Sequence, residues 1–152
     1  MNVEIIDRPF DLAIYGFSGI AVNKNFTETA FGLSDKMWRA VRANNLKNKG
    51  LNVWVYESSD KVFAGVELES IPNDNTSLEY KSLSLPKYAY YKHVGPYNLI
   101  KQAGQMMNEE VRKKGLGTML PYIEIYGHWN NDPEKLETEL FMCLKQDGKI
   151  SV

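Results

Sequence analysis

The stretch AYYKHVG, Ala89–Gly95, has a counterpart 76 residues earlier in the chain, AIYGFSG at Ala13–Gly19. A second pair has the same offset: ELFMCL at Glu139–Leu144 follows FAGVEL at Phe63–Leu68. Few residues are identical within each pair. Two matches at one offset indicate an internal duplication that places corresponding strands in each half of the chain.

A third pair, VWVY at Val53–Tyr56 and IEIY at Ile123–Tyr126, has an offset of 70, so the segment before it is about six residues shorter in the second half. We predict a single α+β domain over residues 1–152, with repeat one at about 1–70 and repeat two at about 78–146. Each repeat runs strand, helix, strand, strand. The two repeats are expected to be related by a pseudo-two-fold axis, with a ligand groove between them.

The helical segments are recognised by their apolar periodicity. Between Thr27 and about Asn48, and again between Tyr97 and Lys114, apolar residues recur at steps of three and four, which is typical of an amphipathic helix. We expect Gly50 to lie just beyond the first helix. The flanking segments are rich in β-branched and aromatic residues, and a hairpin is predicted around the turn Ser58–Asp60.

Composition limits the classes of function. The chain has 152 residues, of which 43% are hydrophobic, and its net charge is -1, so no basic footprint indicates direct contact with nucleic acid or an acidic membrane. Cys143 is the only cysteine, which excludes an internal disulfide and favours a reducing compartment. No signal-peptide pattern and no run of about 18 apolar residues is present. We therefore expect a cytoplasmic protein.

One carboxylate interrupts the apolar strand PYIEIYG. Because side chains alternate along a strand, Glu124 shares a face with Tyr122 and Tyr126, while the two isoleucines lie on the other face. Trp54 is the counterpart of Glu124 in the first repeat, and Tyr56 shares its face. We predict that the aliphatic faces pack under the helices and that the opposite faces line the groove. The plain alternative is a solvent-facing Glu124 with Trp54 and Tyr56 as ordinary packing residues.

Four signatures follow one another through the second half of the chain: YAYYKHVGPY, PYIEIYG, NDP and ETELFMCL. Together they resemble the GyrI-like small-molecule-binding domain, the effector-binding module of many AraC- and MerR-type bacterial regulators. The resemblance implies a pocket between the repeats, walled by aromatic residues, with Glu124 at its base. The family usually has proline where this chain has Cys143, and this departure bears on the path of the last strand.

The same resemblance implies a function. Family members bind lipophilic, often cationic, compounds, and ring faces attract cations while tyrosine hydroxyls can donate to a carboxylate. We therefore predict a free-standing multidrug-type binding protein for a lipophilic cationic small molecule, rather than an enzyme. The candidate ligand-binding residues are Trp54, Tyr56, Phe63, Tyr91, Tyr122, Glu124, Tyr126 and Phe141.

Two other functions stay open. Some free-standing members of the family are hydrolases of cyclopropane-bearing compounds; in such a reaction Glu124 would be the general base, with Tyr91 or Tyr126 as the acid or orienting group. Others inhibit DNA gyrase, which would require a protein partner. No cofactor is expected, and two distant histidines, His93 and His128, with one cysteine form no metal-binding pattern.

Overall fold

The computed structural model describes residues 1–146. They form two compact units: a terminal unit of Met1–Phe10 with the chain from Ser84 onward, and a central unit of Asp11–Leu83. The predicted α+β class is confirmed. In chain order the strands and α-helices are β1 (Glu4–Ile6), β2 (Phe10–Ile20), α1 (Phe26–Ala43), β3 (Asn52–Tyr56), β4 (Lys61–Val66), β5 (Glu79–Leu85), β6 (Tyr88–Val94), α2 (Ile100–Lys113), β7 (Thr118–Tyr126) and β8 (Glu137–Leu144).

The two units have the same strand order. In the terminal unit the order is β1-β6-β8-β7, and in the central unit it is β5-β2-β4-β3. Each edge strand comes from outside the repeat that it extends: β1 lies at the start of the first repeat but places Ile5 opposite Ala89 in β6, a strand of the second repeat. Likewise β5 immediately precedes β6 but neighbours β2. The compact units and the sequence repeats therefore differ by an exchange of edge strands.

The strand register supports the duplication in detail. Trp54 of β3 lies opposite Ala64 of β4, and Glu124 of β7 lies opposite Leu140 of β8. These two pairs are related by the same offsets, 70 and 76, that the sequence matches show. The repeated strand–helix–strand–strand unit is thus confirmed, and Trp54 is the structural counterpart of Glu124 within its own unit.

Each helix buries one side, and its buried residues recur at the predicted steps of three and four. The buried residues are Ala30, Ser34, Met37 and Val41 in α1 and Ile100, Ala103, Met107 and Val111 in α2. Helix α1 ends earlier than expected because Asn45 takes up the left-handed conformation (φ 51°) that asparagine tolerates. Helix α2 follows a single 3₁₀ turn at Tyr97–Leu99, and Gly115 (φ 73°) lies just beyond it. No helix in residues 1–146 is long and apolar enough to cross a membrane.

Strand β8 runs regularly through Cys143. That residue lies opposite Tyr88 in β6 and opposite Met119 in β7. Cysteine retains the backbone N–H that proline lacks, so it fits an inner strand that pairs on both sides. The irregularity lies instead in β7, where the register shifts between Met119 and Tyr122, at Leu120 and Pro121.

Candidate functional site

Glu124 is buried in the middle of β7, with 6% of its surface exposed. Its carboxylate accepts hydrogen bonds from two tyrosines of the same strand. The Tyr122 hydroxyl donates to Oε2 at 2.8 Å, and the Tyr126 hydroxyl donates to Oε1 at 2.6 Å. The alternative of a solvent-facing Glu124 is therefore wrong, and the predicted sharing of a face by these three residues is confirmed.

The spacing of the strand explains how this arrangement forms. Residues two apart lie on the same face of a strand, so each phenol ring reaches the central carboxylate from one side. A buried carboxylate is tolerated when its oxygens accept hydrogen bonds, and bonds to an ionised acceptor are stronger than neutral ones. The Tyr-X-Glu-X-Tyr pattern of β7 thus holds a negative charge in a fixed orientation inside the terminal unit.

The face that carries Glu124 also faces helix α2. Tyr122 and Tyr126 pack against the buried cluster that includes Ala103 and Met107 of α2. The prediction that the isoleucines lie under the helix is wrong: Ile123 and Ile125 are buried on the opposite side of the sheet, at 0% and 8% exposure. Glu124 on one face and the two isoleucines on the other are all buried, so the alternation of residue types could not indicate which face meets the helix.

Two further tyrosines belong to this side of the terminal unit. Tyr91 of β6 lies opposite Leu140, which itself lies opposite Glu124, so Tyr91 and Glu124 share a face. Tyr97, in the turn before α2, meets the Tyr126 ring edge-on, with 5.6 Å between ring centroids and 85° between planes. Burial raises the pKa of Tyr97. We call this α2-facing side, with Tyr91, Tyr122, Glu124 and Tyr126, the Glu124 face.

Phe141 is not part of the Glu124 face. It lies opposite Ile123, and its ring stacks on Phe10 with 4.5 Å between centroids and 7° between planes. Tyr90 meets it edge-on, and the Tyr90 hydroxyl donates to Glu139 at 2.6 Å. The sequence predicted Phe141 and Glu124 in one ligand site, but the structure places them on opposite faces of the sheet. Burial, with the hydrogen bond to Glu139, raises the pKa of Tyr90 well above its usual range.

In the central unit, Trp54 and Tyr56 face helix α1 rather than pointing away from it. The Trp54 indole N–H donates to the Ser34 hydroxyl at 2.7 Å, and Phe31 meets the indole edge-on at 5.2 Å. Phe26 packs in the same way on Tyr56, at 5.6 Å. These contacts give both rings a packing role against the helix, and the expectation that their face lies away from the helix is wrong.

Phe63 lies on the other side of the central sheet. It is opposite Val55, whereas Trp54 is opposite Ala64, so Phe63 does not share a face with Trp54. The ammonium group of Lys81 lies 5.6 Å from the centroid of the Phe63 ring. The eight predicted residues are thus distributed over two faces in each unit. Of the residues in the terminal unit, the structure brings together Tyr91, Tyr122, Glu124 and Tyr126.

Two polar residues that were not among the predicted ligand-binding residues lie on the Glu124 face. Thr138 and His93 lie opposite each other in β8 and β6, and Thr138 also lies opposite Tyr126 in β7. Both are buried, at 0% and 7% exposure, and His93 Nε2 is 3.1 Å from the Pro96 carbonyl oxygen. Alternation along ETELFMCL places Thr138 on the same side as Leu140, and that signal could have identified it. Residues 1–146 contain no cluster of three His, Cys, Asp or Glu side chains suited to a metal ion.

Comparison with known proteins shows the fold of this chain. It is similar to the C-terminal domain of EcmrR, at 15% identity and a TM-score of 0.68, with 99% of this chain and 100% of that one covered. It is also similar to SAV2435, solved with bound tetraphenylphosphonium, at 17% identity and a TM-score of 0.63, covering 96% and 95%. A hydrolase from Listeria innocua matches at 14% identity and a TM-score of 0.57, covering 94% and 91%.

No family model and no curated protein matches the sequence. At the identities of the solved structures, the likeness concerns the fold. The α+β fold that the resemblance to GyrI-like domains implied is confirmed by these matches, which cover nearly the whole chain.

Proposed function

We propose that this protein binds lipophilic cations and that the Glu124 face is where it recognises them. The observation that carries the proposal is the buried Glu124 carboxylate, held between the Tyr122 and Tyr126 hydroxyls. Support also comes from SAV2435, which has the same fold and was solved with the lipophilic cation tetraphenylphosphonium. The protein would act as a small-molecule-binding effector domain, as the resemblance to GyrI-like domains implies.

Charge and ring faces would act together on such a ligand. A carboxylate away from bulk water attracts a nearby cation far more strongly than an exposed one does. The two tyrosine bonds fix its orientation, so little reorganisation is needed when the cation arrives. The rings of Tyr91, Tyr122 and Tyr126 lie on the same side of the sheet as Glu124 and would contact the cation through their π faces; a desolvated cation–π contact contributes about 2 kcal/mol. Flat rings around one charge tolerate many ligand shapes, which favours broad specificity.

Two ions of the same shape and opposite charge test the proposal directly. Tetraphenylphosphonium and tetraphenylborate each place four phenyl rings around a central atom, so their hydrophobic surfaces are matched while their charges differ. In isothermal titration calorimetry we expect the phosphonium to bind and the borate to bind at least about tenfold more weakly, a difference of about 1.4 kcal/mol. Equal affinity for both ions, or tighter binding of the borate, would overturn the proposal.

Hydrolysis is the second candidate, favoured by the Listeria innocua hydrolase that shares the fold. Glu124 would act as the general base on water, and Tyr126, whose hydroxyl is 2.6 Å from the carboxylate, would act as the acid or orienting group. The test is a screen of small cyclopropane-bearing compounds with the wild type and Glu124→Gln. Turnover by the wild type that the variant lacks would favour this candidate; absence of turnover across the screen would favour binding alone.

A further inference from the structure

One polar atom on the Glu124 face is unsatisfied. The Thr138 hydroxyl is fully buried, and no residue of the described range 1–146 forms a hydrogen bond with it. A buried hydroxyl without a partner typically costs about 1–3 kcal/mol relative to one that is bonded. Valine has nearly the same shape and would avoid this cost, so packing alone does not account for a threonine at this position.

The position of Thr138 connects it with the proposed cation site. It lies in β8, directly opposite Tyr126 of β7, whose hydroxyl binds Glu124. Glu124 itself lies opposite Leu140, two residues along β8. Thr138 and Glu124 are therefore diagonal neighbours on one face, roughly 7–8 Å apart.

The polar residue opposite Thr138 in β6 forms its hydrogen bond elsewhere. His93 lies directly opposite Thr138 in β6, and its Nε2 is 3.1 Å from the Pro96 carbonyl oxygen. Because a carbonyl oxygen only accepts, that nitrogen carries the proton of this bond. The Thr138 hydroxyl can both donate and accept, so it can bind a hydroxyl, an amine or a carbonyl group placed against it.

We propose that Thr138 is a specificity-determining residue, whose hydroxyl binds a polar group of the ligand. The inference rests on the proposed binding of lipophilic cations at the Glu124 face and specifies which cations the protein prefers. The preferred ligand carries its positive charge near Glu124 and a hydrogen-bonding group directed at Thr138, a diagonal neighbour of Glu124 on the same face. A purely hydrocarbon cation would leave the Thr138 hydroxyl unpaired and would lose the corresponding affinity.

Hydroxylated tetraphenylphosphonium ions provide matched probes. The 2-, 3- and 4-hydroxyphenyl triphenylphosphonium isomers differ from tetraphenylphosphonium by one hydroxyl group, placed in three directions. For the wild type we expect at least one isomer to bind about five- to tenfold more tightly than the parent ion, as one added hydrogen bond provides. In Thr138→Val this ratio should fall to about one, whereas Thr138→Ser, which keeps the hydroxyl, should retain most of it.

The outcomes separate this inference from the proposed function. If the wild type binds neither the parent ion nor any isomer, the proposed function fails. If it binds them all equally, or if the preference for one isomer survives in Thr138→Val, the role of Thr138 is wrong. Thr138→Ala serves as a second hydroxyl-free variant if the valine protein does not fold.

Thermal unfolding distinguishes a ligand group from a structural water. If the Thr138 hydroxyl has no hydrogen bond in the ligand-free protein, Thr138→Val removes an unpaired buried hydroxyl. The variant should then unfold at the same temperature as the ligand-free wild type or higher. If an ordered water satisfies Thr138 and belongs to the fold, the valine variant should unfold at a lower temperature. The second result would overturn the inference.

Discussion

Removal of one hydroxyl group measures how strongly the tyrosines hold Glu124. In Tyr126→Phe the ring stays and the 2.6 Å bond to Glu124 Oε1 is lost. Because the acceptor is a carboxylate that is only 6% exposed, water replaces the lost donor poorly. Hydrogen bonds to charged groups are worth about 1.5–3 kcal/mol, so we expect the free energy of unfolding to fall by about 2 kcal/mol. Tyr122→Phe, which removes the 2.8 Å bond, should cost a similar amount.

A double-mutant cycle assigns this loss to the carboxylate. In a Glu124→Gln background the tyrosine faces a neutral amide, and Tyr126→Phe should then cost only about 1 kcal/mol. Urea unfolding followed by fluorescence gives all four free energies, and Tyr80→Phe is the control, because Tyr80 is 58% exposed and should change stability by less than about 0.5 kcal/mol. If Tyr126→Phe costs the same in both backgrounds, the hydroxyl does not stabilise a buried charge and the reasoning is refuted.

Three further outcomes follow from contacts elsewhere in the chain. Trp54→Phe should lower the free energy of unfolding by about 1–3 kcal/mol, since it removes the indole N–H that donates to buried Ser34; a stability equal to that of the wild type would contradict this. The folded-state pKa of Tyr90 lies above its unfolded value of about 10, so the folded protein binds more protons above that pH and stability falls as pH rises. Chemical denaturation across pH 10 should therefore show a flatter decline for Tyr90→Phe than for the wild type. Cys143 is buried and burial raises its thiol pKa, so Ellman's reagent should react with it slowly until denaturant is added.

Local patterns were enough to predict the repeats, both helices and the residues around Glu124. The spacing of Met37 and Val41 is visible within one helix and predicts its buried side. The shared offset between paired strands is visible in short matching stretches and predicts the repeat. The Tyr122–Glu124–Tyr126 grouping needed only the two-residue period of a strand. For these features the structure agrees with the sequence because each depends on spacing within one element or on a repeated motif.

Features set by tertiary packing were not predictable in the same way. Which face of β7 meets α2 depends on packing, and both faces are apolar enough to be buried, so Ile123 was assigned to the wrong side. Phe63 and Phe141 were grouped with Trp54 and Glu124 because cross-strand register cannot be read from a single strand. The exchange of edge strands, and the unsatisfied hydroxyl of Thr138, are likewise properties of the assembled sheet.

The most direct test of the central claim compares two glutamates of one sheet in binding tetraphenylphosphonium. Glu124 and Glu139 each accept a tyrosine hydrogen bond of 2.6 Å, but they lie on opposite faces of the terminal unit. By calorimetry we expect Glu124→Gln to weaken binding by about tenfold to a hundredfold, as loss of one partner of a charge pair predicts. Glu139→Gln should leave the affinity within about twofold of the wild type. Equal affinities for the two variants, with both proteins folded, would contradict the assignment of Glu124 to the cation site.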